Sequence, residues 1–201
     1  MNRIIIVHYE EDPDAIDAFE NHVEKLWYQH VNYTRQAIIS IMGGLEDTAA
    51  VIDRLMKNQE DIGNAIIPYY GEAAAAELTG LLKDHITIAG DIFKAIKSGA
   101  NTTELEAKWQ TNAEAIATFL NAADPDNWPY DVALGILNKH LAYTLAEAKA
   151  RFAKDWVADI TAYEDVSSVI GDLAEAFYEG ILDKFPEMFV MQYSSKTIKK
   201  K

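Results

Sequence analysis

Cysteine is absent from this chain. That one absence removes disulfide staples, thiolate nucleophiles and Cys-ligated zinc or iron–sulfur centres together. Proline (5) and glycine (10) are sparse among 201 residues, which argues against an all-β, collagenous or disordered chain. No apolar run approaches the roughly 20 residues that span a bilayer, so no membrane span is expected. Base is scarce against acid: 18 Lys and Arg face 32 Asp and Glu, a formal net charge of −14. So acidic a surface repels phosphate backbones, and nucleic acid is not an expected partner.

The common site motifs are missing as well. There is no Gly-x-x-x-x-Gly-Lys-Ser/Thr loop, no Gly-x-Gly-x-x-Gly, no Gly-x-Ser-x-Gly, no His-Glu-x-x-His and no EF-hand loop. The Glu-x-x-His pairs of ferritin-like di-iron sites are absent too. With no identifiable nucleophile or base, no catalytic residue is assigned, and an enzyme ranks behind a binding or assembly protein. The apolar run near Met1 is too short for a signal peptide and lacks a small-residue cleavage site. The cytoplasm is the default expectation; an extracellular location follows only if the chain is a processed mature form.

What is present is helical periodicity. Hydrophobic residues make up 49% of the chain, enough for one sizeable core. Asp12 and Pro13 read as N-cap and first helical residue. Apolar residues then recur at Ile16, Phe19, Val23, Leu26, Trp27 and Val31, predicting a helix to about Ile41 that Gly43-Gly44 stops. A second helix is expected from Glu46 or Asp47 to Pro68, with Tyr69-Tyr70-Gly71 as connection. A third runs from about Glu72 to Lys97, and a fourth from Asn101 or Thr102 to about Ala122, with Thr103 and Glu106 as a capping box. Asp124-Pro-Asp-Asn-Trp-Pro129 is the clearest loop. A fifth helix is expected from Tyr130 to Asp159, with a kink, and a sixth from Tyr163 to Lys184. Both ends instead read as strand: the run Ile4–Val7, and Met188 to Ile198 ahead of three lysines. The expectation is an all-α antiparallel bundle of about six helices built from hairpins, residues 13–186, with short β segments in tails 1–12 and 187–201.

Three of the five histidines stand in similar settings: Leu26-Trp-Tyr-Gln-His30, Leu82-Lys-Asp-His85 and Leu137-Asn-Lys-His140. A polar residue, Asp61, Asn112 or Asp172, follows each by 27 to 32 residues. Helical hairpins would then carry a His on one arm and an Asp or Asn on the other, aimed at a shared interior. His30, His85, His140 and Asp61 form a candidate metal set, since imidazole and carboxylate suit zinc, iron, manganese or copper. Arg35, Asn58, Asp61 and Asn112 form a candidate site for a small anion, because the guanidinium fork matches carboxylate and phosphate. Arg35 paired internally with Asp61 is the plainer reading of that pair. His140 and Glu147, seven apart, share a helix face. Plainer still, His–Asp and His–Asn pairs can fix helix register with no ligand at all.

Several polar words inside the helices are more distinctive than amphipathic pattern. They are Leu26-Trp-Tyr-Gln-His-Val-Asn-Tyr-Thr-Arg35, the stretch from Asn58 to Gly71, Leu81-Leu-Lys-Asp-His-Ile-Thr-Ile-Ala89, Lys108-Trp-Gln-Thr-Asn-Ala113 and Lys139-His-Leu. On these, residues 22–186 resemble an uncharacterised family of small helical proteins from anaerobic bacteria and archaea. The resemblance implies an all-helical bundle. The family has no established activity, so it lends no catalytic residue.

Two functions compete. In one, the bundle binds a divalent transition metal or a small anion through its interior polar residues. In the other, it is a structural subunit whose strand-like tails, residues 1–10 and 188–198, join copies into a homo-oligomer or filament.

Overall fold

The computed structural model describes residues 7–194. The expected strand positions Ile4–Ile6 and Ser195–Ile198, and the lysines after them, lie outside the described residues. Six helices follow one another: α1 (Pro13–Gly43), α2 (Thr48–Ala65), α3 (Ile67–Ser98), α4 (Thr103–Ala123), α5 (Tyr130–Ala153) and α6 (Trp156–Lys184). A 3-10 turn, Pro186–Phe189, leads into the second of two short strands, β1 (Val7–Glu11) and β2 (Val190–Ser194). No helix among the described residues is long and apolar enough to cross a membrane.

Local chemistry sets the boundaries. Asp12 caps α1 by accepting from the Ala15 backbone N–H at 3.2 Å, with Pro13 in the first turn. Gly44 ends α1 in the left-handed region, φ 64°. At Gly71, φ 81° and ψ 171° break the helical path, so Ile67–Tyr70 is a single turn and the long run of α3 begins at Glu72. At the start of α4 the roles shift by a residue from those expected. Asn101 Oδ1 accepts from Thr103 N at 2.8 Å, and the hydroxyl that meets Glu106 is that of Thr102, at 2.5 Å.

One boundary departs clearly from expectation. The long fifth helix is two pieces, because Lys154 adopts φ 60° and closes α5 in the left-handed region. Asp155 then caps α6 by accepting from Ala158 N. A non-glycine residue seldom enters that region, so no glycine or proline marks the turn.

Each helix packs on the next in sequence, and α6 returns to pack on α1, closing a ring. The first arms of the three hairpins, α1, α3 and α5, also pack on one another. They are therefore the inner helices, with Ile38 of α1 and Ile92 of α3 fully buried among the core side chains. Trp128, from the Asp124–Pro129 loop, plugs one end. Its ring stacks on Phe177 with centroids 5.4 Å apart, and its Nε1 donates to the Ala176 carbonyl at 2.8 Å.

The strands pair with each other, antiparallel, from Val7 opposite Ser194 to Glu11 opposite Val190. A lone two-stranded ribbon is marginal in water. This one is tied down where Asp12 N donates to Phe189 O at 2.8 Å. The Phe189 ring lies 5.2 Å from Phe19 and 5.8 Å from Tyr69, between centroids.

Glycine allows a close approach of α2 to α3. A Cβ on Gly63 would fall 1.9 Å from Thr79 Oγ1 and 2.9 Å from the Ala75 carbonyl, so α2 can meet α3 here only without a side chain. We expect Gly63→Ala to destabilise the fold by about 1–3 kcal/mol through overpacking. Gly80→Ala, whose Cβ would meet nothing within 4 Å, should stabilise it by about 0.5–1 kcal/mol. Urea denaturation of the two variants decides this, and equal effects would discount the close approach.

Candidate functional site

His30, His85 and His140 meet at the centre of the inner triangle. All three are buried. The His30 and His140 rings lie 5.6 Å apart between centroids, tilted by 53°. His85 and His140 are also 5.6 Å apart, nearly stacked at 24°. Trp109 lies 5.0 Å from His85 and Trp27 5.9 Å from His30. The rings border a chamber of about 20 Å³, otherwise walled by apolar side chains such as Leu82, Leu137, Ile116 and Ile170. That is room for about one water-sized occupant.

The convergence follows from a regular register. The three histidines are spaced by 55 residues at each step. On the second arms the step is 54: Ile62, Ile116 and Ile170 are all buried at matching positions. The same step pairs Asn58 with Asn112, and the hydrogen bonds confirm it. Asn58 Nδ2 donates to the Leu26 carbonyl and Asn112 Nδ2 to the Leu81 carbonyl, each at 3.0 Å and each four residues before a His. The third matching position is Val166, which has no polar atom to offer.

This register revises the second-arm partners read from the sequence. Asn112 meets its histidine as expected, with Oδ1 2.8 Å from His85 Nδ1. Asp61 is not the counterpart of Asn112. It is half-exposed and pairs with Lys57 at 3.3 Å and Arg54 at 3.5 Å, where water and cations solvate its charge better than the core could. Asp172 is exposed. Arg35 forms the expected internal ion pairs, but with different partners. It sits five residues beyond His30, on another face of α1, and its Nη1 reaches Glu147 Oε1 at 2.8 Å and Asp159 Oδ1 at 2.5 Å. Its Nη2 meets Asp159 Oδ2 at 3.0 Å, making the pair bidentate. Arg151 joins at 3.1 Å from Asp159 Oδ2.

The histidines are unequally served. If His85 Nδ1 carries the proton, it donates to Asn112 Oδ1 and Nε2 keeps its lone pair. In the first hairpin the Asn58 carbonyl accepts instead from Gln59 Nε2 at 3.2 Å. In the third, Val166 supplies nothing. His30 Nδ1 and His140 Nδ1 accordingly lack hydrogen-bond partners, as do Gln59 Oε1, Trp109 Nε1 and Thr144 Oγ1 nearby. Buried polar groups are seldom left so.

All three imidazoles are held neutral. Burial pushes His30 down to about 3, helped by His85 and slightly opposed by Gln59. Burial lowers His85 to about 4, against the pull of Asn112. Burial and the two neighbouring rings hold His140 well below its ordinary value. Glu147 moves the other way. Burial raises it to about 7, although Arg35 pulls it down. For Arg35, burial works against the charge, but Asp159 and Glu147 outweigh it and hold the guanidinium above its usual value. The sequence marks Glu147 only as a face-mate of His140, while Asp159 carries no local signal because its partners are distant in sequence.

Among the described residues, no set of three or more His, Asp or Glu side chains is already arranged to hold a metal ion. No family model matches the chain, and neither does any curated protein or solved structure.

Neutral buried histidines bind protons only on unfolding, so their stabilising effect is full above about 6.5 and drains as pH falls toward their folded values. Each contributes on the order of 1 kcal/mol per pH unit in that range. Glu147 acts oppositely, binding its proton in the folded state between about 7 and its unfolded value near 4.5. We expect unfolding free energy to fall between pH 6 and pH 5, because three histidines outweigh the one glutamate. His140→Phe should lessen that drop. Denaturant titrations at the two pH values test it, and an unchanged slope in the variant would mean His140 is not buried neutral.

Proposed function

We propose that the protein is a binding protein whose interior histidine triad takes one transition-metal ion. The observation carrying this is the pair of unpartnered Nδ1 atoms, on His30 and His140, beside a third neutral imidazole in a chamber otherwise walled by apolar side chains. Neutral imidazole is the form that ligates zinc, copper, iron or nickel. Metal–imidazole bonds of about 2.0–2.1 Å set the ring centres of two ligands roughly 5 Å apart, and the rings here lie 5.6 Å apart. Loading requires the rings to turn about their side-chain bonds until three nitrogens converge. The Asn112 contact supports the reading, because a ligand histidine commonly donates its other N–H to a carbonyl oxygen. A small anion is the weaker choice: no Lys or Arg lines the chamber, and Arg35 is taken by Glu147 and Asp159.

Elemental mass spectrometry on protein purified without chelator, followed by calorimetric titration with zinc and copper, tests this. One ion per chain is expected, with His85→Ala weakening affinity by at least about 100-fold while the helical circular dichroism persists. Absence of saturable binding, or a loss of melting temperature alone in His85→Ala, would leave the triad as packing.

A second reading keeps assembly through the tails. The two strands form a two-stranded sheet whose outer edges carry no further strand among the described residues, and such edges can accept a neighbour. Deleting residues 1–10 should then reduce the particle size measured by light scattering; an unchanged size discards this reading.

A further inference from the structure

The repeat creates three equivalent niches one to two turns beyond the histidines, and they are filled in three ways. Between α1, α5 and α6 the positions are Arg35, Glu147 and Asp159, the buried ion network. One step round, between α3, α4 and α5, they are Leu145, Ile92 and Leu105, which join the main core. The remaining set, between α1, α2 and α3, is Ala37, Gly90 and Val51. Here small residues replace large ones, and a cavity of about 130 Å³ lies open. Ile52, Met56, Ile86 and Phe93 help to wall it.

Two observations point to an occupant rather than a packing defect. A Cβ on Gly90 would meet nothing within 4 Å, so a larger residue would fit without a clash. Glycine inside a helix lowers stability relative to alanine, yet it stands at the one position whose counterparts are Arg35 and Leu145. Secondly, the polar groups at the cavity already have partners. Thr34 Oγ1 donates to the His30 carbonyl at 2.8 Å and Thr87 Oγ1 to the Lys83 carbonyl at 2.9 Å. Lys94 pairs with Asp91 at 3.1 Å. No side chain there waits for a hydrogen bond or a charge.

We propose that this cavity binds a small uncharged apolar molecule of about benzene's size, entering beside the exposed residues Thr87, Asp91 and Lys94. Volume and lining set the class: an apolar cavity near 150 Å³ admits benzene or xenon. An ion would lose its hydration with nothing in return. The site is separate from the histidine chamber and does not depend on metal binding there.

Thermal melting with benzene and toluene, together with methyl NMR, tests the proposal on the full chain. At ten times its dissociation constant the ligand should raise the melting temperature by about 3–6 °C. Methyl signals of Ile52, Leu55 and Ile86 should shift, while those of Leu137 and Leu173, at the histidine chamber, should stay. Gly90→Leu should abolish both responses, whereas Gly80→Leu, on the same helix but away from the cavity, should retain them. If Gly90→Leu fails to fold, Gly90→Ala should weaken binding several-fold. Three results would overturn the idea: no response to either hydrocarbon, an undiminished response in the Gly90 variants, or a concentration-dependent dimer in which a second copy covers the cavity.

Discussion

Everything in this fold depends on the closure of α6 against α1. Five short connections place successive helices side by side, but that alone would leave an open row. The α1–α6 contact bends the row into a ring and drives the first arms together. Only then do side chains at matching register on α1, α3 and α5 share one axis. The histidines are central because each hairpin presents its inner arm in the same way, and their neutrality follows from burial in the apolar setting this creates.

Around that axis the repeat is kept in the apolar framework and abandoned in the polar detail. Ile62, Ile116 and Ile170 repeat faithfully, as the core demands. Amide support for the histidines does not: Asn112 meets His85, Asn58 turns to Gln59, and Val166 has nothing to give. A symmetric structural device would be expected to satisfy all three rings alike. Two Nδ1 atoms without a hydrogen-bond partner beside one that has Asn112 are the asymmetry on which the metal proposal rests.

Much of the architecture was legible in the residues. Asp12, Pro13, Gly44 and Gly71 each act where local sterics place them, and the triad was visible because like positions in like hairpins face the same way. What stayed hidden depended on partners far along the chain. The turn at Lys154 has no glycine, so the fifth helix reads as running on to Asp159, across the true break between α5 and α6. Asp61 looked like the polar mate of His30 because it lies close to the right distance in sequence. Three residues earlier, Asn58 points inward while Asp61 reaches solvent, a distinction that helix rotation makes and a spacing count does not. The Arg35 network joins α1, α5 and α6 across more than a hundred residues, and no window of sequence contains it.

The ribbon has a topological consequence. Val7 lies opposite Ser194, so the described ends of the chain are neighbours, and the three hairpins follow one another round a ring with no privileged start. The order of hairpins along the polypeptide is therefore nearly immaterial to the packing. A chain rejoined at the ribbon and opened between α2 and α3, or between α4 and α5, would be a circular permutant able to make the same helix contacts. The structure behaves as a closed cycle that the polypeptide happens to enter at one of three equivalent gates.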